Sequence, residues 1–264
     1  MFEIKERYDI DDLRELMKVL RSENGCPWDK VQTHESIRMD VLEEAYEVAE
    51  AIDSGSKDLL KEELGDLLLQ VVFHCEIEDE QKSFNFDDIC DGVCKKLVYR
   101  HPHVFGDIKA DTPEQVLKNW DVLKSESKNE ERASDRLKSV PKLLPALMRA
   151  EKVGKRASNA GMDFRSTKEV IDRLKSEISE LEVALNDGID RNIEEELGDI
   201  LFSCTNLSRF LKKDSEKALT NAINKFIIRF SGVEALLEKE GKTFSDADPD
   251  ELDALWEKAK TCSH

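Results

Sequence analysis

The feature that most constrains this 264-residue chain is an internal duplication of one acidic segment. With an offset of 133 residues, Asp40–Gln70 aligns without gaps to Arg173–Ser203, and 10 of the 31 aligned positions are identical. Both copies contain a Glu-x-x-Glu pair, then a glycine, then the sequence Glu-Glu-Leu-Gly-Asp. Self-similarity at a fixed offset indicates that one supersecondary unit is built twice. The chain is therefore expected to contain two related modules.

The spacing of the apolar residues predicts that both modules are helical. In the first copy, Leu60, Leu64 and Leu67 lie on one stripe of a helix, while Gly55 and its counterpart Gly188 mark turns. The whole chain holds only 11 glycines and 6 prolines, which is typical of helices. An amphipathic helix pair cannot enclose its own core, so neighbouring helices must complete a bundle. The predicted fold class is all-α, with two tandem helical modules that have four-helix-bundle-like cores.

A polar segment separates the two copies. Residues 125–139 are nearly without apolar side chains, and Val140-Pro141 and Leu144-Pro145 follow them. Such a composition is typical of a linker. The expected organisation is an N-terminal module at 1–124, a polar linker at 125–140 and a C-terminal module at 141–264.

Charge and cysteine usage exclude several classes of protein. The chain has 40 Lys and Arg against 58 Asp and Glu, and this net charge of −18 argues against a nucleic-acid partner. No apolar run approaches the roughly 18 residues that would suggest a membrane span, and the first residues do not resemble a signal peptide. The six cysteines form no Cys-x-x-Cys pair, which favours reduced thiols. We expect a soluble, cytoplasmic protein with no membrane partner.

Four acidic positions recur in both copies at similar spacing. Residues three apart share one helix face, and a tight turn at the glycine would bring the two acidic pairs face to face. Converging carboxylates repel one another, and an oxygen-preferring divalent cation relieves that repulsion. We therefore predict a Mg²⁺ site suited to phosphate chemistry. Its ligands are Glu44, Glu47, Glu63 and Asp66 in the first copy and Glu177, Glu180, Glu196 and Asp199 in the second.

A less specific interpretation of these acids stays open. In a chain with 37% charged residues, a single Glu-x-x-Glu is usually a solvated helix face. Repetition favours a function, although duplicated helices could also keep capping acids without chemistry. Other phosphate and metal motifs do not fit. No histidine follows a glutamate by three residues, as a di-iron bundle requires, and Gly241-Lys242-Thr243 has Leu236 where a P-loop needs glycine.

These residues closely resemble the all-α nucleoside triphosphate pyrophosphohydrolases, and among them the two-domain MazG family. Glu-x-x-Glu followed by Glu-x-x-Asp is that family's hallmark, and the resemblance extends from about Leu13 to Trp256. Further matching segments are Gly25-Cys26-Pro27-Trp28-Asp29-Lys30, Arg100-His101-Pro102-His103-Val104-Phe105, Leu144-Pro145-Ala146-Leu147-Met148-Arg149-Ala150, Gly161-Met162-Asp163-Phe164 and Asn224-Lys225-Phe226.

The resemblance implies a reaction and a set of roles. Members hydrolyse a nucleoside triphosphate to the monophosphate and pyrophosphate with Mg²⁺, with Mn²⁺ as an alternative ion, and form homodimers. They are implicated in nucleotide-pool sanitation or nutritional-stress control. The implied catalytic residues and metal ligands are the four acids of the second copy. The implied nucleotide-binding residues are Arg173, Glu195, Lys225, Arg229 and Trp256.

Departures from the family pattern bear on which copy is active. Arg173 stands where a lysine is common, and Ser176 precedes Glu177 where a second glutamate is usual. Phe73 of the first copy aligns with Asn206 of the second, so the first nucleotide pocket is expected to differ. The C-terminal site is favoured, and the N-terminal one stays open. Two alternatives to an enzyme are a nucleotide-binding regulator without turnover and a helical dimerisation module. Trp256 could anchor a terminal helix instead of contacting nucleotide.

Overall fold

The computed structural model describes residues 2–126 and 132–261, and every regular element in these ranges is helical. The all-α prediction is therefore confirmed. The chain divides into two compact units, Met1–Lys124 and Ser125–His264. None of the helices in the described ranges combines the length and apolarity that a membrane crossing requires.

The first unit is built around the helices of the first acidic copy. Its helices are α1 (Ile10–Arg21), α2 (Arg38–Ser54), α3 (Lys57–Glu80), α4 (Phe86–Arg100), α5 (Pro102–Phe105) and α6 (Pro113–Glu126), with a 3₁₀ turn at Asp29–Val31.

The hairpin of α2 and α3 depends on the predicted glycine. Gly55 adopts φ +72°, a left-handed conformation that ends α2, and the Ser56 hydroxyl accepts a hydrogen bond from the Leu59 amide to begin α3. Helix α1 packs across α3. The buried core between them contains Met17, Ile37 and Phe73 together with neighbouring apolar side chains of α3.

The second unit repeats this hairpin and adds a helix pair. Its helices are α7 (Ala133–Lys138), α8 (Ala146–Asn159), α9 (Thr167–Asp187), α10 (Asp190–Phe210), α11 (Ser215–Lys239) and α12 (Pro249–Thr261), with a 3₁₀ turn at Phe244–Asp246.

The predicted linker at 125–140 has a more regular structure than its polarity suggests. Ala133–Lys138 forms helix α7, which packs on α8 within the second unit. Arg156 of α8 donates a hydrogen bond of 2.6 Å to the Ser139 hydroxyl and another to the Arg136 carbonyl. Polar contacts therefore help to attach a segment that has few apolar residues, and Val140 at its end is buried. Residues 127–131 lie outside the described ranges.

The hairpin of α9 and α10 matches the first one closely. Gly188 adopts φ +68° at the end of α9, 133 residues after Gly55. Helix α8 packs on α10, in the place that α1 takes on α3. Helices α11 and α12 form a separate core around Val233, Leu237 and Leu255. The duplication in the sequence is thus a duplication of a three-helix arrangement.

Candidate metal centre and adjoining cleft

Three acidic side chains of the second copy converge between α9 and α10. Glu177, Glu196 and Asp199 each offer one carboxylate oxygen, and these oxygens lie within 4.8 Å of one another. Glu196 and Asp199 are one turn apart on α10, and the turn at Gly188 brings them opposite Glu177 on α9. The structure therefore brings together three of the four acids predicted in this copy.

Two carboxylate oxygens of this cluster are buried without a hydrogen-bond partner among the described residues. Glu177 is only 3% exposed, and Arg173 Nε lies 2.6 Å from its Oε1, which leaves Oε2 unpartnered. Glu196 Oε2 is also buried and unpartnered. Buried polar atoms are normally satisfied, and such exceptions require an explanation. Oxygen atoms in this arrangement fit a hard divalent cation such as Mg²⁺.

The electrostatics of the cluster agree with that fit. Burial, followed by repulsion from Glu180 and Asp199, raises the pKa of Glu196 above its ordinary value. Glu195 adds a smaller repulsion from the next position, although its own side chain is exposed. A bound cation would favour the ionised carboxylate, because opposite charge lowers a carboxyl pKa.

Glu180 lies outside the three-oxygen group. Its Oε1 accepts a 2.8 Å hydrogen bond from the Ser176 hydroxyl and lies 3.5 Å from Arg173 Nη1, and its side chain is 44% exposed. Glu180 and Glu196 line one shallow cleft on this face of the hairpin. The role of Glu180 as a metal ligand stays a prediction. Its negative charge contributes to the raised pKa of Glu196.

The first copy reproduces the same convergence. Glu44, Glu63 and Asp66, which align with the three acids of the second copy, also bring their oxygens within 4.8 Å. Burial raises the pKa of Glu44, with repulsion from Asp66 and Glu47 as the next causes. Burial and then Glu47 raise the pKa of Glu63. Both copies therefore hold the elements of a cation site.

A cleft of about 390 Å³ adjoins the C-terminal carboxylates, and Glu177 and Asp199 form part of its wall. Its other wall is α8, where Gly154 lets the helix approach α10 closely. A methyl group on Gly154 would lie 2.8 Å from Asn206 Oδ1, which is closer than packed atoms come. The glycine thus maintains the contact between α8 and the buried amide of Asn206.

Polar and aromatic groups line the cleft beyond the acids. Asn206 is 7% exposed, and its amide donates to the Phe202 carbonyl at 3.3 Å. Arg209 donates to both carboxylate oxygens of Asp163, at 3.0 and 2.5 Å. Phe164 and Phe202 supply aromatic surface. A flat heterocycle with hydrogen-bonding edges matches these walls.

Larger side chains occupy the corresponding place in the first copy. Phe73 aligns with Asn206 and belongs to one buried cluster with Met17 of α1, and Gly154 of α8 aligns with Arg21. Met17, Ile37 and Phe73 are each at most 5% exposed, and the Arg21 guanidinium lies 5.2 Å from the Phe73 ring centroid. The space beside this carboxylate cluster is packed with core side chains.

The remaining predicted nucleotide contacts lie on other elements. Arg173 is part of the cleft wall, whereas Lys225 and Arg229 lie on α11 and do not line the cleft. Lys225 is exposed, and Arg229 Nε is buried without a hydrogen-bond partner among the described residues. Trp256 packs against the α11 core, with its ring centroid 5.1 Å from that of Phe226. This packing agrees with the alternative interpretation of Trp256 as an anchor for α12, and its contact with nucleotide stays a prediction.

Sequence reasoning missed Gly154, Asp163, Phe202 and Arg209 as cleft residues. Asp163 lies in the segment Gly161-Met162-Asp163-Phe164, which signalled the resemblance without indicating a role. The other residues carried no motif, because their shared location depends on how α8 crosses α10.

The ion pair of Asp163 and Arg209 predicts a pH-dependent contribution to stability. The bidentate hydrogen bonds lower the pKa of Asp163 from 3.8 to about 2. Because the native pKa is depressed, the stabilisation is complete above pH 4 and is lost as the pH falls towards 2. Allowing for the partial exposure of both side chains, Asp163→Asn should cost about 1–2 kcal/mol near pH 7 and much less near pH 2. Hydrogen exchange of α8 and α10 amides in both proteins across this range measures the difference, and a constant difference would contradict the assignment.

Comparison with known proteins gives a consistent match. The model of the MazG nucleotide pyrophosphohydrolase domain matches residues 32–105 and 165–233. The nucleoside triphosphate pyrophosphohydrolase/pyrophosphatase MazG of Thermotoga maritima is 43% identical over 251 residues, which cover 95% of each chain. The nucleoside triphosphate pyrophosphohydrolase of Escherichia coli K12 is 41% identical over 95% of this chain and 97% of its own. YabN of Bacillus subtilis is 40% identical over 96% of this chain and 52% of its own.

Proposed function

Because the chain belongs to the MazG family of nucleotide pyrophosphohydrolases, we propose that it hydrolyses nucleoside triphosphates to monophosphates and pyrophosphate with Mg²⁺. Ribo- and deoxyribonucleotides are both included, and the reaction is attack of water at the α-phosphorus. The observation that supports it most directly is the cluster of Glu177, Glu196 and Asp199, with two unpartnered buried oxygens beside a cleft. The activity would serve nucleotide-pool sanitation or nucleotide control during nutritional stress.

The acids of the hairpin would hold the ion. Glu177, Glu196 and Asp199 supply oxygen ligands, and Glu180 is near enough to influence the charge of Glu196. A bound Mg²⁺ would neutralise phosphate charge and polarise a phosphoryl oxygen. Mn²⁺ is the alternative ion, because it also takes oxygen ligands.

Two side chains at the edge of the cluster have complementary tasks. Arg173 lies between Glu177 and Glu180 and adds positive charge beside the site of a triphosphate. Glu180, partly exposed beside Glu196, is placed to accept a hydrogen bond from an attacking water. Glu195, which precedes Glu196 on α10, stays a proposed nucleotide contact.

The adjoining cleft suits the nucleoside. Its volume of about 390 Å³ lies within the range of small-molecule sites, and it begins at the carboxylates that would face the phosphates. Asn206 offers an amide to a base edge, and Phe164 and Phe202 offer aromatic faces. In the first copy, Phe73 and Met17 occupy that place, so we assign turnover to the C-terminal copy. The N-terminal carboxylates keep the geometry of a cation site, and a buried cluster of core side chains lies in the same unit.

Assembly as a homodimer is part of the proposal. Large apolar side chains on α9, α10, α11 and the turn between α9 and α10 are 43–60% exposed in one protomer, and such patches mark interfaces. A partner hairpin covering them would complete each bundle and could bring Lys225, Arg229 and Trp256 to a nucleotide. The exposed side chains are Ile178, Val183, Leu185, Ile189, Leu197, Leu201, Leu219, Ile223, Phe226, Ile227, Ile228 and Phe230.

A cytoplasmic location is also proposed, since the five described cysteines are free thiols.

Product analysis tests the reaction. Light scattering first establishes the mass of the purified protein, which is then incubated with each NTP and dNTP, with Mg²⁺, with Mn²⁺ or with chelator. We expect monophosphate and pyrophosphate in equal amounts, only when a divalent ion is present. Diphosphate and orthophosphate would contradict the proposed bond cleavage. Nucleotide binding without turnover would instead identify a regulator, and absence of both would leave a dimerisation module.

A further inference from the structure

A second cavity in the C-terminal unit is lined mainly by basic side chains. It has a volume of about 470 Å³ and lies where α8 meets the turn between α10 and α11. Five cations line it against two acids, in a chain whose net charge is −18. The lining residues that carry charge are Lys152, Lys155, Arg209, Lys212, Lys213, Glu151 and Asp214.

The two acids of this basic cavity are already engaged by the start of α11. The Asp214 carboxylate caps the helix by accepting a 2.8 Å hydrogen bond from the Lys217 amide. Glu151 accepts a hydrogen bond from the Ser215 amide, while burial and then Asp214 raise the pKa of Glu151. Both acids therefore have hydrogen-bonding partners at the start of α11, and the cations that line the cavity outnumber them.

The four lysines of the cavity form no salt bridge within the described ranges, although Lys152 interacts electrostatically with Glu151. These lysines are Lys152, Lys155, Lys212 and Lys213, and all four are exposed. Four like charges around one concavity repel one another, and a compact polyanion would relieve that repulsion. Arg209 Nε is buried and has no hydrogen-bond partner in the described part of the chain, and Arg209 lines both this cavity and the nucleoside cleft.

The basic cavity is distinct from the metal centre. Arg209 follows Asp199 by ten residues on α10, which corresponds to roughly 15 Å along the helix axis. A phosphate bound among the lysines is therefore not the phosphate that a metal ion on the carboxylate cluster would bind. Binding of an anion in this cavity also does not require the hydrolytic reaction, because no residue of the carboxylate cluster lines the cavity.

We propose that this basic cavity is a second binding site, for a small anion that carries several linked phosphates. A volume of 470 Å³ suits a small molecule, and the acidic remainder of the chain would repel an extended nucleic acid. Lysine ammonium groups bind phosphates as point charges, so a flexible chain of phosphates can contact several of them. Inorganic polyphosphate and the phosphate tail of a nucleotide share this chemistry.

Calorimetric titration of the full-length protein with inorganic tripolyphosphate tests the site. Chelator and low salt are used, because without a divalent ion the carboxylate cluster repels the probe. We expect saturable binding to one site per protomer, weakened at least tenfold in Lys152→Ala/Lys213→Ala and weakened by added salt. A parallel titration with ATP under the same conditions distinguishes the sources. Equal affinity identifies the phosphate chain as the ligand, and tighter, lysine-dependent ATP binding identifies a nucleotide.

A charge-matched variant controls for general electrostatics. Lys138→Ala/Lys142→Ala removes the same charge from exposed positions of the same unit that do not line the cavity. Its affinity for tripolyphosphate should stay within twofold of the unmodified protein. Absence of binding to the unmodified protein, or equal weakening in both double variants, would overturn the proposal. Either result can be recognised even if the protein hydrolyses no nucleotide.

Discussion

Replacing Glu196 with glutamine is expected to lower turnover of nucleoside triphosphates by about 10²–10³-fold, while making the metal-free protein more stable. The loss follows because Glu196 supplies one of three converging oxygens, and removal of one charge-stabilising group commonly has this effect on rate. The gain follows because burial and the repulsion of Glu180 and Asp199 raise the pKa of Glu196, so the ionised form destabilises the native state. Glutamine keeps the shape and removes the charge.

The two opposite changes separate a functional acid from a structural one. Steady-state hydrolysis measures the first, and the thermal unfolding midpoint with and without Mg²⁺ measures the second. The stabilisation that Mg²⁺ gives to the unmodified protein should be reduced in Glu196→Gln. A lower midpoint in the absence of metal, together with nearly normal turnover, would show that Glu196 only supports the fold.

The first copy provides a matched control for this variant. Glu63 occupies the equivalent position, and burial followed by repulsion from Glu47 raises its pKa in the same way. Glu63→Gln should also stabilise the metal-free protein, yet it should retain more than half of the turnover. Equal loss of turnover in both variants would contradict the assignment of catalysis to the C-terminal copy.

The predictability of the carboxylate cluster has a clear physical limit. Local sequence determines where helices lie and where they turn, so the glycines at 55 and 188 and the acids around them could be placed from the duplication alone. The direction of each side chain depends on its neighbours. Glu180 was grouped with the other acids on spacing; its carboxylate accepts a hydrogen bond from Ser176 and lies outside the three converging oxygens, so its role as a ligand stays a prediction.

The cleft shows a second limit, because it depends on contacts between distant segments. Asn206 stood out only as a difference between the copies, and its partner Gly154 lies 52 residues earlier in the chain. Which apolar side chains of α11 are left exposed also depends on packing that the sequence does not show. The polar segment was predicted as a linker because composition cannot show that Arg156 attaches α7 to α8.

Replacing Asn206 with phenylalanine is expected to raise the KM for nucleotides at least tenfold, because the larger ring would fill the nucleoside cleft. The first copy already has this arrangement, where Phe73 packs against Met17. In the second copy, the α8 backbone at Gly154 lies close against the side chain at position 206, so a phenylalanine ring is expected to turn into the cleft. Blocked contacts in a binding pocket commonly cost 1–3 kcal/mol, which corresponds to roughly tenfold or more in affinity. Initial rates across a range of ATP concentrations give KM and kcat separately.

Asn206→Leu distinguishes occupied volume from lost hydrogen bonding. Leucine is close to asparagine in size, so it leaves the cleft open and removes only the amide. If the amide contacts the base, this variant should weaken some bases more than others, whereas phenylalanine should weaken all of them. Stabilisation by Mg²⁺ without nucleotide should be unchanged in both variants, because Asn206 is not part of the carboxylate cluster. An unchanged KM in Asn206→Phe, with the protein folded, would exclude this cleft as the nucleoside site and direct attention to the surface around Lys225, Arg229 and Trp256.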